Sequence, residues 1–364
     1  MTYEGGRSVA GPFLAHLGAS GLIVGLVAGG GELIGYALRL ASGTVADRSG
    51  RAWGFALIGY GLNVLSVPAL AFAKSWPVAA ALLVGERSGR GVRKPVVGAM
   101  LAHAGTQLGH GWVFGFHEAM DQTGATIGPL IVALMLALGS GFNRAFAVLA
   151  IPAILSLAVL LFARRAYPTP HDLEAGSDAT LRGFDRNFWT YAAAGACIAA
   201  GFADFALVSF HFSKAQLFSN HVVPILYAGT MLIGALAAPF FGKWYDRAGV
   251  GVPIAAFALS AGFAPLCFRG SAAAAVAGLA LWGVGMAAQE SLLPSMIARI
   301  TPANRRATAL GAFDAVYGVA WFAGSAAMGA LYDVSIAGLV IFSVVLQLAA
   351  LPLLFIASRR GVAV

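Results

Sequence analysis

The chain has 364 residues, of which 59% are hydrophobic and only 10% are charged, with a mean hydropathy of +0.81. Soluble domains carry about a quarter charged residues, so this composition excludes a soluble enzyme or binding module. The net charge of +8 comes without any basic run interleaved with aromatics, which points to membrane topology and excludes nucleic acid as a partner.

The apolar residues fall in runs of about 20, the length of a bilayer crossing. In chain order, a short apolar piece at 8–17 precedes eleven full spans at 19–42, 53–73, 76–101, 111–139, 145–163, 187–212, 219–241, 250–268, 271–298, 307–331 and 335–357. An all-α polytopic membrane protein follows. The longest polar interruption runs from Arg164 to Asn187 and carries Pro168, Pro170, Asp172, Glu174 and Asp178. It reads as a cytoplasmic linker at 166–186 between an N-terminal helical bundle at 1–165 and a C-terminal one at 187–364. The 47 glycines suit membrane helices that approach closely through small side chains. Cys197 and Cys267 stand singly in apolar stretches and read as packing residues.

Positive charge fixes orientation, because cytoplasmic loops retain Lys and Arg. Of the 23 such residues, sixteen fall on one side, Arg90, Arg93 and Lys94 among them, and four on the other: Lys74, Arg144, Lys214 and Arg269. Arg7, Arg39 and Arg87 lie inside or at the edge of spans. The sixteen define the cytoplasmic side, and the expected location is the cytoplasmic (inner) membrane.

The chain also repeats itself. Gly43-Thr44-Val45-Ala46-Asp47-Arg48-Ser49-Gly50 and Gly242-Lys243-Trp244-Tyr245-Asp246-Arg247-Ala248-Gly249 share the pattern G-x-x-x-D-R-x-G at an offset of 199, the offset that also relates Pro95 to Pro294. Gly115, Glu118 and Gly128 match Gly311, Asp314 and Gly324 at an offset of 196. Two homologous halves of about six helices each are implied, a design that places a substrate site near the bilayer midplane. The offset also sets Glu4 or Gly5 opposite Asp204, so the first helix is expected to lack its front, about a dozen residues that would precede Met1.

The segment Gly43 to Arg51 resembles the signature between helices 2 and 3 of the major facilitator superfamily, G-x-L-A-D-R-x-G-R-R, and the second octet sits where that family repeats it. Arg87-Ser88-Gly89-Arg90-Gly91 is similar to the family's R-x-x-Q-G element, with Arg90 where Gln is usual. Gly124-Ala125-Thr126-Ile127-Gly128-Pro129 resembles the G-x-x-x-G-P element of its exporter branches, without that element's Gly-rich tail. The resemblance implies two pseudo-symmetric six-helix bundles and alternating access. Under it, Gly43, Asp47, Arg48, Gly50, Arg51, Gly242, Asp246, Arg247 and Gly249 read as cytoplasmic gate loops whose ion pairs separate when that face opens; a local structural turn is the alternative.

Eight acids fall within or at the edge of spans: Glu4, Glu32, Glu86, Glu118, Asp121, Asp204, Glu290 and Asp314. Burying a carboxylate in a bilayer costs at least about 2 kcal/mol, so such residues face a bundle interior and mark ion or substrate paths. With only Arg7, Arg39 and Arg87 as intramembrane partners, some acids must be protonated, cation-paired or wet. The expected coupling and substrate residues are Glu32, Arg39, Arg87, His117, Glu118, Asp121, Asp204, Glu290 and Asp314. Glu32 and Arg39 share a helix face two turns apart, and a structural ion pair between them competes with a coupling role. Glu86 and Arg87 are adjacent, so they point to different faces and cannot pair with each other. Glu118 and Asp314 hold matching places in the two halves, and Asp121 lies close enough on the helix to share one proton with Glu118. A structural pair with Arg39 or Arg87 is the competing reading for both.

His117 to Asp121 approaches the H-E-x-x-H zinc signature but has Asp121 in place of the second His, so neither metal nor cofactor is expected. Trp321, Tyr317, Trp282, Phe116 and Tyr36 read as packing, with an aromatic cavity as the alternative. There is no G-x-x-x-x-G-K-[ST] phosphate loop and no G-x-S-x-G elbow, and no enzyme is expected. The function expected is secondary active transport of a small solute by a monomer, coupled to protons, with export of a neutral or cationic compound preferred. The alternatives are an uptake symporter for a small metabolite and a non-transporting sensor or scaffold on a transporter fold.

Overall fold

A computed structural model describes residues 1–49, 52–108, 110–167, 184–301 and 306–360, and among these the chain is helical without a strand. Helices are what the composition demands, because a chain in lipid must satisfy its backbone polar groups internally. The first half holds α1 (Thr2–His16), α2 (Gly21–Ser49), α3 (Ala52–Ala69), α4 (Trp76–Leu108), α5 (His110–Ala137), α6 (Gly141–Val148) and α7 (Ala150–Ala166). The second holds α8 (Arg186–Gly201), α9 (Phe205–Lys214), α10 (Val222–Ala248), α11 (Gly251–Ser260), α12 (Phe263–Arg269), α13 (Ala272–Ile300), α14 (Arg306–Val334) and α15 (Ile336–Arg360). The pairs α6–α7, α8–α9 and α11–α12 each form one crossing, which gives ten segments long and apolar enough to span a membrane among the described residues. The span expected at 76–101 is not among those ten. It is the 33-residue helix α4, which carries Glu86, Arg87, Arg90, Arg93 and Lys94. The short apolar piece expected at 8–17 belongs to a helix that starts at Thr2.

One expectation of the sequence changes here. The repeated octets are not loops: Gly43–Ser49 and Gly242–Ala248 form the last turns of α2 and α10, because a helix once nucleated gains a hydrogen bond for each residue added, apolar or not. In the second copy only the last residue turns. Gly249 takes a φ of +64° and its N–H donates to the Tyr245 carbonyl at 2.9 Å, the left-handed glycine ending that a side chain would strain. Its counterpart Gly50, with Arg51, lies outside the described residues, as do the side chains of Gly43, Asp47, Arg48, Glu118, Phe116 and Asp246 and most of the linker.

By internal contacts the chain divides into two units, one of Met1–Ala19, Gly30–Asp178 and Asn220–Ala228, the other of Ser20–Gly29, Ala179–Ser219 and Gly229–Val364. Glycines set the helix crossings within the first. A Cβ on Gly128 of α5 would lie 3.0 Å from the backbone N of Gly5 in α1, and one on Gly6 would lie 2.7 Å from Val67 of α3. A Cβ on Gly89 of α4 would lie 2.6 Å from the Gly59 carbonyl of α3, and one on Gly91 would lie 3.0 Å from the Cα of Gly35 in α2. The Arg87 to Gly91 element is thus a packing surface on two sides, with its arginines between.

In the second unit α8 lies against α14 and α15, and a Cβ on Gly324 would lie 2.6 Å from the Ala200 carbonyl carbon. Gly128 and Gly324, matched in the repeat, therefore do the same work in the two units. Their contacts set Met1 level with Ala200, which puts Gly5 at the place of Asp204, as the repeat offset expects. The chain breaks at Phe202–Asp204 between α8 and α9, and side chains satisfy the freed carbonyls. Ser343 Oγ donates to Gly201 O at 2.6 Å and Trp282 Nε1 to Ala203 O at 2.8 Å, the compensation a broken membrane helix requires. The buried rings of Phe202 and Phe263 pack beside the break with centroids 4.9 Å apart.

The first turn of α2, grouped with this unit, is capped from α14. Asp333 accepts from the N–H of Gly21 at 2.8 Å and of Leu22 at 2.9 Å, satisfying two donors that have no partner within the helix. Asp333→Ala is expected to cost about 1 kcal/mol, the usual worth of an N-terminal cap, read as a lower midpoint of thermal unfolding in detergent. Asp333→Asn, which keeps one acceptor oxygen, should lose less.

Candidate functional site

Within the first unit the charged residues of α1, α2 and α4 converge. On α4, Arg87, Arg90 and Arg93 recur every third residue, which lines them along one side of the helix. Gly31 of α2 leaves room for the stem of Arg87, which a Cβ there would strike. Three guanidiniums meet a single carboxylate oxygen, Glu32 Oε1: Arg90 at 2.6 Å, Arg87 at 2.9 Å and Arg7 at 3.5 Å. Arg7 also lies 3.4 Å from Glu4 Oε1, and the Tyr227 hydroxyl donates to the other Glu4 oxygen. A continuous chain therefore runs from Tyr227 through Glu4, Arg7 and Glu32 to Arg87 and Arg90. The Glu32 side chain is 12% exposed and that of Arg87 7%. At that burial a charge-assisted hydrogen bond is worth well more than its exposed equivalent.

A second chain runs beside it. Asn63 of α3 donates through Nδ2 to Glu86 Oε1 at 2.7 Å and accepts at Oδ1 from Arg93 Nε at 3.3 Å. Arg93 stacks over the Tyr60 ring at 4.5 Å and reaches toward Tyr3 at 5.7 Å. The Tyr3 hydroxyl donates to Asp121 at 3.0 Å. An adjacent pair pointing to different faces holds as expected: Glu86 turns to Asn63 and Arg87 to Glu32.

The structural pair of Glu32 with Arg39, the competing reading, is not formed among the described residues. Arg39 lies over the Tyr36 ring at 4.7 Å, and its buried Nε has no hydrogen-bond partner among the described residues, as is true of Arg90 Nε. Arg90 and Arg93, counted above with the cytoplasmic charges, are partners of intramembrane polar groups. Five arginines of α1, α2 and α4, Arg7, Arg39, Arg87, Arg90 and Arg93, thus lie on the helices that carry these acids. Sequence reasoning also passed over Arg7 and Glu4 as site residues, although their three-residue spacing on one helix was a legible signal; Asn63 and Tyr227 gave none.

The remaining residues expected at the site are placed on or at the ends of α5, α9, α13 and α14, or lie outside what is described. Asp204 caps α9, accepting from Ala206 N–H at 2.9 Å. His117 on α5 and Asp314 on α14 are half-buried, and Glu290 on α13 is exposed. Asp121 faces Tyr3, and the side chain of Glu118 is outside the described residues. Aromatic rings of the second unit meet one another: Trp282 lies 5.5 Å from Phe202 and Trp321 5.8 Å from Tyr317. Tyr317 also donates to Gln289 Oε1 at 2.5 Å. Gly124 and Gly128 of the helix-5 element, with Pro129 following, are spaces for α1.

Known proteins place this arrangement. Two uncharacterized mycobacterial proteins, from Mycobacterium tuberculosis and Mycobacterium bovis, are each 40% identical to the chain over 363 residues, covering 98% of it and 89% of their own length. Among solved structures, the nucleoside transporter NupG superposes with a TM-score of 0.75 at 15% identity, covering 97% of this chain and 95% of its own. A bacterial homologue of the human lysosomal transporter Spinster superposes at 0.76 and 15% identity, covering 98% and 93%. A peptide-bound POT family transporter superposes at 0.73 and 13% identity, covering 99% and 94%. These likenesses carry the fold. The family pattern described as Major Facilitator Superfamily matches residues 3–325, and the chain belongs to that family of membrane transporters.

Proposed function

We propose that the protein is a proton-coupled secondary transporter of a small solute in the cytoplasmic membrane, acting by alternating access as a monomer. The observation that supports it is the chain of Glu4, Arg7 and Glu32, two carboxylates of α1 and α2 held by one guanidinium. A carboxylate there can exchange its cation for a proton at modest cost, because desolvation favours the neutral acid whenever the partner moves away. The coupling residues of this reading are Glu32, Arg87 and, added from the structure, Glu4 and Arg90. Glu118, Asp121, Asp204, Glu290, His117 and Asp314 stay as secondary candidates on the sequence argument alone. Asp47 and Arg48, with Asp246 and Arg247, are proposed as cytoplasmic gate contacts on the strength of their repetition. Export is preferred on the acid-rich interior and the Gly124 to Pro129 element, with uptake by symport as the second reading because the glycines of that element also make room for α1.

The test is a reconstitution. Proteoliposomes enclosing a pH-sensitive dye are challenged with small solutes under gradients of either sign, and the wild type should change the internal pH in a solute-dependent way. Glu4→Gln keeps the shape and an acceptor for Tyr227 but cannot release a proton. It should fold and lose the pH signal. Solute movement in the wild type without any pH change removes the coupling, and no movement of any solute removes transport itself.

A further inference from the structure

We propose that the arginine cluster of α1, α2 and α4 binds the anionic group of the transported solute, a carboxylate or phosphate oxyanion; this rests on the transport reading above and names its cargo. The charge inventory is the first support. Arg7, Arg87 and Arg90 pair with Glu4 and Glu32, Glu86 bonds Asn63, and Arg39 lies two turns along α2 from Glu32, so with every carboxylate ionised these four cations exceed the three acids by one among the described residues. Adding Arg93 and Asp121 leaves that excess unchanged. Uncompensated charge in a membrane helix is costly and marks a place for a ligand or ion of opposite sign.

The second support is geometric. Arg39 Nε and Arg90 Nε are buried donors with no partner among the described residues, although almost all buried polar groups in proteins are satisfied. Arg90 touches Glu32 from α4, and Arg39 lies two turns along α2 from Glu32 with its guanidinium over the Tyr36 ring. Three cations crowd one oxygen of Glu32, an arrangement in which a second acceptor would relieve repulsion among the guanidiniums. Guanidinium forks match planar carboxylates and phosphates with two parallel hydrogen bonds. A proton on Glu32 or Glu4 would enlarge the positive excess, so anion and proton favour each other's binding. This reading departs from the neutral or cationic cargo expected from the acids, because in this cluster four arginines face three carboxylates.

The experiment uses the full chain, purified in detergent, and follows thermal unfolding with benzoate, succinate and inorganic phosphate as probes, against tetraphenylphosphonium and glucose. An anion that binds the folded state raises the unfolding midpoint in proportion to its occupancy; benzoate or succinate alone assigns a carboxylate, phosphate alone a phosphate. Arg39→Gln, which breaks no ion pair with Glu32, should fold and weaken that binding by about tenfold, the worth of one charge-assisted hydrogen bond. Arg39→Lys, which keeps the charge and loses the fork, should fall between the two. No midpoint shift with any of the three anions, or a shift that Arg39→Gln leaves unchanged, overturns the proposal. Proton-linked movement of the cation or glucose in proteoliposomes would overturn the anionic cargo while leaving transport intact, whereas failure of the transport reading appears as no solute movement at all.

Discussion

Replacing Glu32 by Gln is expected to be the most damaging conservative change in the first unit. Gln keeps the volume and one acceptor oxygen but leaves Arg7, Arg87 and Arg90 without their shared counter-charge. Removing one partner of a buried ion pair costs about 3–5 kcal/mol, because the remaining charge stays desolvated. The loss should appear as reduced membrane yield and a lower unfolding midpoint in detergent. Glu86→Gln provides the contrast. Its Oε1 accepts from a neutral amide, Asn63 Nδ2, and a Gln oxygen can accept the same bond, so that variant should lose far less. The double variant Glu32→Gln with Arg90→Gln removes one of the stranded cations and should recover part of the loss, as coupled neighbours do in a mutant cycle. Equal stability of Glu32→Gln and the wild type would mean that the three arginines hold no charge on Glu32.

The second large effect is expected at the paired glycines. A Cβ on Gly128 would lie 2.9 Å from the Met1 carbonyl carbon, and one on Gly324 would lie 2.6 Å from that of Ala200. In both cases the obstacle is backbone, which cannot rotate out of the way as a side chain can. The helices must move apart, and overpacking of this kind costs about 1–3 kcal/mol. Gly128→Ala and Gly324→Ala should each lower the unfolding midpoint, Gly324 more than Gly128 because its obstacle is the more tightly placed. Gly61→Ala is the control: nothing lies within 4 Å of its Cβ position, and Ala favours a helix over Gly by about 1 kcal/mol, so the variant should be as stable as the wild type or more so. A symmetric loss at 128 and 324 with none at 61 would tie the repeat seen in the sequence to one packing function performed twice.

How much of this was legible beforehand depends on the range of the interaction. The apolar runs placed nearly every membrane helix within a few residues, since crossing length and backbone satisfaction are local demands. The ends were misjudged where helices continue through polar residues: Gly43–Ser49 and Gly242–Ala248 lack the apolar signature of a span, and nothing in their composition says that the backbone hydrogen bonds go on. Glu32 and Arg39 looked like a pair because they share a helix face. The structure brings Arg87 and Arg90 from α4 closer than Arg39 can come along α2, since Gly31, Gly35 and Gly91 let the two helices press together. Arg90 was assigned to the cytoplasmic charges because a count of positive residues does not distinguish a loop from one side of a 33-residue helix.

The sequence by itself therefore determined the helical membrane architecture, the two homologous halves, the family and the presence of intramembrane acids, because hydropathy, repeat offset and motif are properties of the chain read in order. Only the tertiary structure decided which cation meets which acid. Glu4, Arg7, Glu32, Arg90 and Tyr227 come from four helices. Their meeting depends on how glycine-lined crossings set the distance and rotation of each helix against the next, which no periodicity along a single helix records.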